Sequence, residues 1–414
     1  MDQDIRHRWG AFDQATVDDP YPLYARLRDE APVQPVTMAD GRPAWLVTGY
    51  DAARQVLSDA RLTKDIARLE ASRPGAAPAG LLHPLLAHHM LASDPPDHTR
   101  LRKLVSHAFT HTRVEALRPR VQAICDELLD ALDDASGDPV DLVDGFAFPL
   151  PIIVICELLG VPVEDRDRLR ALIVAMFASP MAPANDPQAQ AAADEIAAYL
   201  RGVIDERRRN PGDDLFSGLI AARDGGDRLA EAELLSTAWL LVVAGHETTV
   251  NLIGNGTVAL LRHPDLWARL RADPSLVPAA VEELLRYNPP VHHTTFRMTT
   301  EPIELGGVTI PAHEQVLVLL ASAGRDPARF AGPDELDLTR AERGHLAFGY
   351  GIHFCLGAPL ARLEGEIAFT SLLARFPDLG LAVPPTELHW SNRLVLRSLR
   401  ALPVVLRGRE TPTA

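Results

Sequence analysis

One ten-residue stretch constrains this chain more than any other: Phe348-Gly349-Tyr350-Gly351-Ile352-His353-Phe354-Cys355-Leu356-Gly357. It sets one cysteine among small residues and one polar ring, directly ahead of the helical pattern Ala358-Pro359-Leu360-Ala361-Arg362-Leu363-Glu364. A cysteine at a helix start meets unpaired backbone N–H groups and the positive end of the helix dipole, and both favour the thiolate. Pro359 suits the first helical turn, where its missing N–H costs nothing. Gly349, Gly351 and Gly357 remove side chains where backbone must approach something flat or bulky. A thiolate beneath a planar group fits a haem iron ligated through sulfur. Taken alone, such a cysteine reads first as a buried, inert residue in a turn before a helix. A zinc site is disfavoured, because no second cysteine lies nearby and zinc takes three or four protein ligands. A nucleophilic cysteine with His353 as its base stays open, although two positions on a tight loop place that pair poorly.

Helical periodicity dominates the rest of the chain. Residues 21–30, 51–57, 98–109, 114–132, 164–177, 188–209, 231–262, 278–286 and 359–376 carry amphipathic or apolar helical patterns. Short β-like runs lie at 33–36, 44–48, 303–305, 308–310 and 316–320, with a further pair near the C-terminus and Gly306-Gly307 as a hairpin turn. The expected fold is mainly α with a minor β part, one domain over 1–414 with flexible ends at 1–18 and 407–414. Segments 72–80 and 179–187, rich in Pro, Gly and Ala, read as surface loops.

The 231–262 pattern breaks its own rules at its midpoint, Ala244-Gly245-His246-Glu247-Thr248-Thr249. A glycine, an acid and two hydroxyls follow the apolar run Trp239 to Val243, where unpaired polar groups are costly. An interior glycine also weakens a helix by about 1 kcal/mol relative to alanine. Such a conflict between local rules marks a site. The plain alternative has Thr248 bonded back to a helix carbonyl and Glu247 in a salt bridge.

The net charge of −15 argues against nucleic acid and anionic membrane surfaces as partners. Three widely spaced cysteines are too few for a disulfide framework and fit a reducing cytoplasm. Cys125 and Cys156 lie in apolar helical patterns and are expected in the core. No apolar export segment follows Met1, and no apolar run approaches the roughly 18 residues of a membrane span.

F-x-x-G-x-H-x-C-x-G followed by A-x-x-x-A-R resembles the haem-ligand signature of the cytochrome P450 superfamily. Ala244 to Thr248 is similar to that family's distal-helix pattern, A/G-G-x-D/E-T. Glu283-Leu284-Leu285-Arg286 resembles its E-x-x-R pair, and Asp94 to Arg102 its D-P-P-D/E-H-T-x-x-R segment. The resemblance runs from Asp19 to about Leu406 and is closest to soluble bacterial members that oxidise polyketides, macrolides and sterol-like molecules. It implies the family's mostly helical prism, with haem b between the distal helix and the cysteine-bearing helix. By the same resemblance Cys355 would ligate the iron, and Phe348, Gly349, Gly351 and Ala244 would touch the haem. His98, Arg102, Arg297 and His353 would hold its propionates. Thr248 would hydrogen-bond dioxygen and Glu247 would help relay protons to it. Glu283 and Arg286 would form a buried structural ion pair. The arginine that often closes it in the family is missing from Pro333-Asp334-Glu335-Leu336, which leaves Arg340 as a substitute. Gly324-Arg325-Asp326-Pro327 resembles the family's R-D-P stretch and takes a structural role.

The implied substrate pocket comprises the loop from Leu62 to Met90, Phe177, Met181, Val242, Val243 and Gly245, with Val291 to Thr295 and Leu394 opposite. His292 and His293 are its polar members, either bonded to a substrate hydroxyl or solvated; Thr294 lies beside them. His83, His88 and His89 lack acid or cysteine company and read as loop residues. The implied activity is haem-thiolate monooxygenation, placing one oxygen atom of O2 in a bulky hydrophobic polyketide or macrolide by hydroxylation or epoxidation. Steroid, secosteroid or terpenoid substrates are the alternative. A haem-binding sensor and a cysteine-dependent hydrolase or transferase are the rival classes; the first needs no proton relay, and the second would be colourless. No flavin or nicotinamide module follows, so an iron–sulfur ferredoxin and its NAD(P)H-dependent reductase are expected to supply electrons. The ferredoxin would be drawn to Arg100, Lys103, Arg113, Arg343, His345 and Arg362. A monomer is expected.

Overall fold

The computed structural model describes residues 8–66, 69, 88–134, 139–176, 187–224 and 229–406. Nine helices of nine or more residues carry the argument below: α1 (Tyr21–Glu30), α2 (Asp97–Ser106), α3 (Arg118–Asp134), α4 (Pro149–Leu159), α5 (Arg166–Met176), α6 (Pro187–Arg209), α7 (Glu231–Leu261), α8 (Val277–Tyr287) and α9 (Ala358–Arg375). The strands are β1 (Val33–Thr37), β2 (Pro43–Val47), β3 (Leu62–Thr63), β4 (Val140–Asp141), β5 (Arg297–Thr299), β6 (Ile303–Leu305), β7 (Val308–Ile310), β8 (Gln315–Val318), β9 (Gly380–Leu381) and β10 (Pro403–Val405). One sheet has the order β1-β2-β8-β5-β3, parallel only between β2 and β8; β4-β10-β9 and the β6-β7 hairpin stand apart. The architecture is mainly α with a minor β part.

The long helix α7 runs 31 residues. Its start is fixed by Glu233, whose carboxylate accepts the Ala230 N–H at 2.8 Å, and by two acids in the first turn that suit the dipole. It packs against α4, α8 and α9 in the principal apolar core. At Gly245 the approach to α4 leaves no room for a side chain: a Cβ there would lie 2.6 Å from Ile155 Cγ1. Helix α4 escapes sequence periodicity because Pro149 to Cys156 are buried on every side, so there is no polar face to set a period. The pattern over 114–132 splits instead into two helices, His111–Ala116 and α3, because Pro119 lacks an N–H and fits only a first turn.

Residues 8–18 are built into the fold and are not a loose end. Trp9 is fully buried, donates its backbone N–H to Thr37 O at 2.8 Å, and packs edge-on against Phe12 and His293. Asp13 then caps the helix Gln14–Asp18 by accepting the Thr16 N–H. A lone tryptophan carries no period, so its burial was not legible. Residues 1–7, 407–414, the 72–80 loop and nearly all of the 179–187 loop lie outside the described residues, as does His83. Asp326 of the R-D-P stretch accepts the Tyr50 N–H at 2.7 Å and ties the start of the helix Tyr50–Ser58 to the loop after the short helix Leu320–Ala323. Cys125 and Cys156 are buried, which pushes each thiol up to about 12. No helix among the described residues is long and apolar enough to cross a membrane.

Candidate active site

Helix α7 and the loop preceding α9 form facing walls of a cavity of about 1010 Å³. Between Leu234 and Leu260 every residue of α7 is buried except Val243, Ala244, Gly245, Glu247 and Thr248, and all five line this cavity. The midpoint that breaks helix rules is therefore the strip that faces open space. Thr248 Oγ1 donates to Ala244 O at 3.1 Å, and the Glu247 carboxylate accepts from Arg393 Nη1. Both bonds of the plain alternative exist, yet they exist inside the cavity. Gly245 belongs to the strip, but its missing side chain answers to Ile155 and not to a ligand.

On the opposite wall, Cys355 donates its backbone N–H to Phe348 O at 2.9 Å, closing the loop. Gly349 and Gly351 both take positive φ, 74° and 75°, which only glycine adopts freely. Phe348 and Gly349 line the cavity. Gly351 does not: a Cβ there would lie 2.6 Å from Leu57 O, so it serves the turn and its seat on helix Tyr50–Ser58. Burial pushes the Cys355 thiol up; the backbone N–H groups of Gly357 and Ala358 and the guanidiniums of Arg102 and Arg362 oppose it without prevailing. The expected preference for the thiolate is thus reversed in the protein alone, because desolvation outweighs the helix start. A cation at the sulfur would supply the missing charge, as metals do for coordinating thiols.

The cavity rim is crowded with nitrogen. His98 and His353 meet edge to face with ring centroids 4.4 Å apart, and Arg102 donates to Phe354 O at 2.7 Å. Both ring nitrogens of His98, Nε2 of His353 and Nε of Arg297 are buried without a partner. Burial, then the neighbouring Arg297, His98, Lys64 and Arg102, hold His353 far below its ordinary value. Burial takes Arg297 down to about 10 and, with Arg297 adding to it, Lys64 to about 7. The nearby carboxylate, Asp94, is already occupied by the Thr63 hydroxyl and the Lys64 N–H. Orphaned donors and depressed cations around an apolar slot call for a flat ligand that carries carboxylates at one edge. A haem satisfies that demand, and the residues fit it.

Met90, Val243, Val291, Thr294 and Leu394 line the cavity as expected. Val242 does not; it is buried in the core behind the strip. His292 and His293 are also core residues. His292 Nδ1 bonds Tyr24 OH at 3.1 Å, His293 packs on Trp9 and Tyr24, and neither reaches the cavity. Burial lowers both, His293 to about 4, so both are neutral. Phe177 and Met181 lie outside the described residues.

Among the cavity residues that sequence reasoning missed are Glu364 and Arg393; Lys64 lies in the loop from Leu62 to Met90 that was expected there. Glu364 is fully buried, its Oε2 has no partner, and burial pushes it up to about 8. Its spacing of nine from Cys355 could have flagged it; Arg393 carried no signal at all. Away from the cavity, Arg286 grips Glu283 through two bonds of 2.8 and 2.7 Å, and Arg340 Nε reaches the same carboxylate at 3.1 Å. Arg340 thus takes the third place.

The sequence profile of the family described as Cytochrome P450 matches residues 37–400. The chain is 52% identical over 403 residues to cytochrome P450 monooxygenase PikC of Streptomyces venezuelae, covering 97% of this chain and 94% of that one. It is 48% identical to 6-deoxyerythronolide B hydroxylase of Saccharopolyspora erythraea, covering 94% and 96%. Among solved structures, the tirandamycin C-bound P450 monooxygenase TamI superposes with a TM-score of 0.87 at 47% identity, covering 95% of this chain and 99% of that one. With that likeness running through both walls of the cavity, the chain belongs to the cytochrome P450 family and is a haem-thiolate monooxygenase.

Proposed function

We propose that this monooxygenase oxidises a bulky polyketide of the macrolide type, by hydroxylation or epoxidation. The observation that carries the reading is the distal half of the cavity, beyond the space that haem would fill: it is apolar, formed by Met90, Val243, Val291, Leu394 and Leu396. A relative named for the hydroxylation of 6-deoxyerythronolide B supports it. The reaction is R–H + O2 + 2 e⁻ + 2 H⁺ → R–OH + H2O, or the corresponding epoxide from an alkene.

The cofactor of this reading is haem b, which Cys355 would ligate and whose carboxylates His98, Arg102, Arg297 and His353 would take up. It supplies an iron centre that binds dioxygen and accepts electrons one at a time, which side chains cannot do. The protein holds the substrate apolar face against Val291 and Leu394 and excludes bulk water. Thr248 and Glu247 are the half-buried protic side chains of α7 that line the cavity, and they are assigned the two protons of the equation. Electrons come from an iron–sulfur ferredoxin in the cytoplasm. Arg100 pairs with Glu233, and Arg362 and His345 share Glu282, so the attraction falls chiefly to the exposed Lys103, Arg113 and Arg343. Electron-transfer rates indifferent to ionic strength would remove that role from them.

The test is optical. Macrolides, other polyketides and sterols are titrated into the holoenzyme, and the shift of the haem absorption band reports substrate entering beside the iron. Macrolides or related polyketides are expected to give micromolar shifts and oxidised product. Shifts from sterols alone would overturn the substrate class.

A further inference from the structure

Glu247 is the first member of a polar stripe on α7. Asn251 and Asn255 follow at intervals of four, so the three share one helix face. All three bind one partner segment, residues 390–398. Asn255 Oδ1 accepts from Trp390 Nε1 at 2.9 Å and its Nδ2 donates to Arg397 O at 2.8 Å. Asn251 Nδ2 donates to Ser398 Oγ at 3.0 Å, and Arg393 Nη1 donates to Glu247. The segment is also folded on itself, with Ser391 N–H on Ser398 O at 2.8 Å and Arg393 N–H on Ser391 O at 2.9 Å. Arg393 and Glu247 are mostly buried, with side chains 20% and 14% exposed. Immediately after Arg393, Leu394, Val395 and Leu396 line the substrate cavity.

An acid in this position has two demands on it. It must stay beside Thr248, and it must sit where a proton can be passed to the cavity. The two asparagine ties hold the segment rigidly without touching the acid. The Arg393 pair adds nothing they lack except a hold on the carboxylate itself. We propose that Arg393 is a positioning residue for the oxidation: it sets where the Glu247 carboxylate sits beside Thr248, and ties that position to the segment that touches substrate. The proposal rests on the relay role assigned to Glu247 above.

The test compares the holoenzyme with Arg393→Gln, Arg393→Lys, Glu247→Gln and the Arg393→Gln/Glu247→Gln double variant. Product formed per electron consumed, the solvent isotope effect on turnover, the substrate dissociation constant and Tm are read for each. Arg393→Gln is expected to lower product per electron about fivefold or more, with peroxide taking up the balance, and to change the solvent isotope effect. The substrate dissociation constant should move less than about threefold. Arg393→Lys, which keeps the charge but not the guanidinium geometry, should recover only part of the product and stay measurably below wild type. In the Glu247→Gln background, Arg393→Gln should cause no further loss, because residues acting through one group are not additive. The Tm losses of the two single variants should likewise fail to add, a readout independent of turnover.

If Arg393→Gln lowers only Tm and leaves product per electron intact while Glu247→Gln abolishes it, Arg393 is a structural tie and the proposal is overturned, with the relay surviving. If Glu247→Gln leaves product per electron and the isotope effect intact, the relay role falls and the proposal falls with it. Should Arg393→Gln lose the absorption band of a thiolate-ligated haem, Arg393→Lys carries the test. Product per electron unchanged from wild type together with an unchanged isotope effect then overturns the proposal; a partial loss absent in the Glu247→Gln background supports it.

Discussion

Replacing Glu283 with alanine should cost far more than replacing Arg340, and the structure gives the ratio. The Glu283 carboxylate receives four donors: Nε and Nη2 of Arg286, Nε of Arg340 and the Asp337 N–H. The Glu283 and Arg340 side chains are 5% exposed and that of Arg286 is 2% exposed. Glu283→Ala leaves two buried guanidiniums with no carboxylate, a situation that costs about 3–5 kcal/mol. Arg340→Ala leaves Glu283 with Arg286 and the Asp337 amide; it frees the Ala331 carbonyl, while Gly332 O keeps the Glu335 N–H and Glu335 O keeps Arg286 Nη2, for a cost of about 2 kcal/mol. An unfolding entropy of about 2.1 cal/mol/K per residue over 414 residues makes 1 kcal/mol worth about 1 °C. The expected Tm losses are therefore about 4 °C for Glu283→Ala and about 2 °C for Arg340→Ala, read by calorimetry of the holoenzyme. In the Glu283→Ala background, removing Arg340 should cost little or even recover stability, since it deletes an unpaired buried cation. Equal losses for both single variants, or strict additivity in the double, would refute the assignment of Arg340 as the third member.

Thr248→Ala should retain haem and substrate binding but divert electrons to peroxide; unchanged product per electron would refute the hydroxyl's part in proton delivery. Glu364 is neutral in the fold up to about pH 8 but ionises near its ordinary value when unfolded, so its contribution is most favourable below pH 4.5 and is lost as pH rises toward 8. Glu364→Gln should therefore gain stability relative to wild type progressively over that range, measured as urea midpoints; a pH-independent difference would count against it. Gly245→Ala gains about 1 kcal/mol of helix propensity but overpacks Ile155, for a net loss of about 1–2 kcal/mol. Combining it with Ile155→Ala should cost less than the two changes summed, and full additivity would show that the two helices do not meet there.

The principal helices and the two chemical walls were legible because their signals are local. The loop at 348–357 needs glycine at positive φ and a cysteine at a helix start, and both demands are written in adjacent residues. Likewise, a glycine, an acid and hydroxyls inside an apolar helix announce a face that opens onto something. Helix α4 was invisible for the opposite reason, being apolar all round. His292 and His293 were misread because a histidine pair looks the same in sequence whether it faces a cavity or an aromatic core formed by Trp9 and Tyr24.

Local pattern, then, determined which backbone segments make the cavity and which cysteine faces it. Tertiary packing decided the charge state and the company of each group. It took enough solvent from the half-buried Cys355 that its thiol rises, despite a helix start that pulls the other way. It brought Arg340 to Glu283 and Arg393 to Glu247 across 57 and 146 positions of chain. Desolvation and long-range pairing depend on everything that surrounds an atom in three dimensions, and no window of sequence contains that.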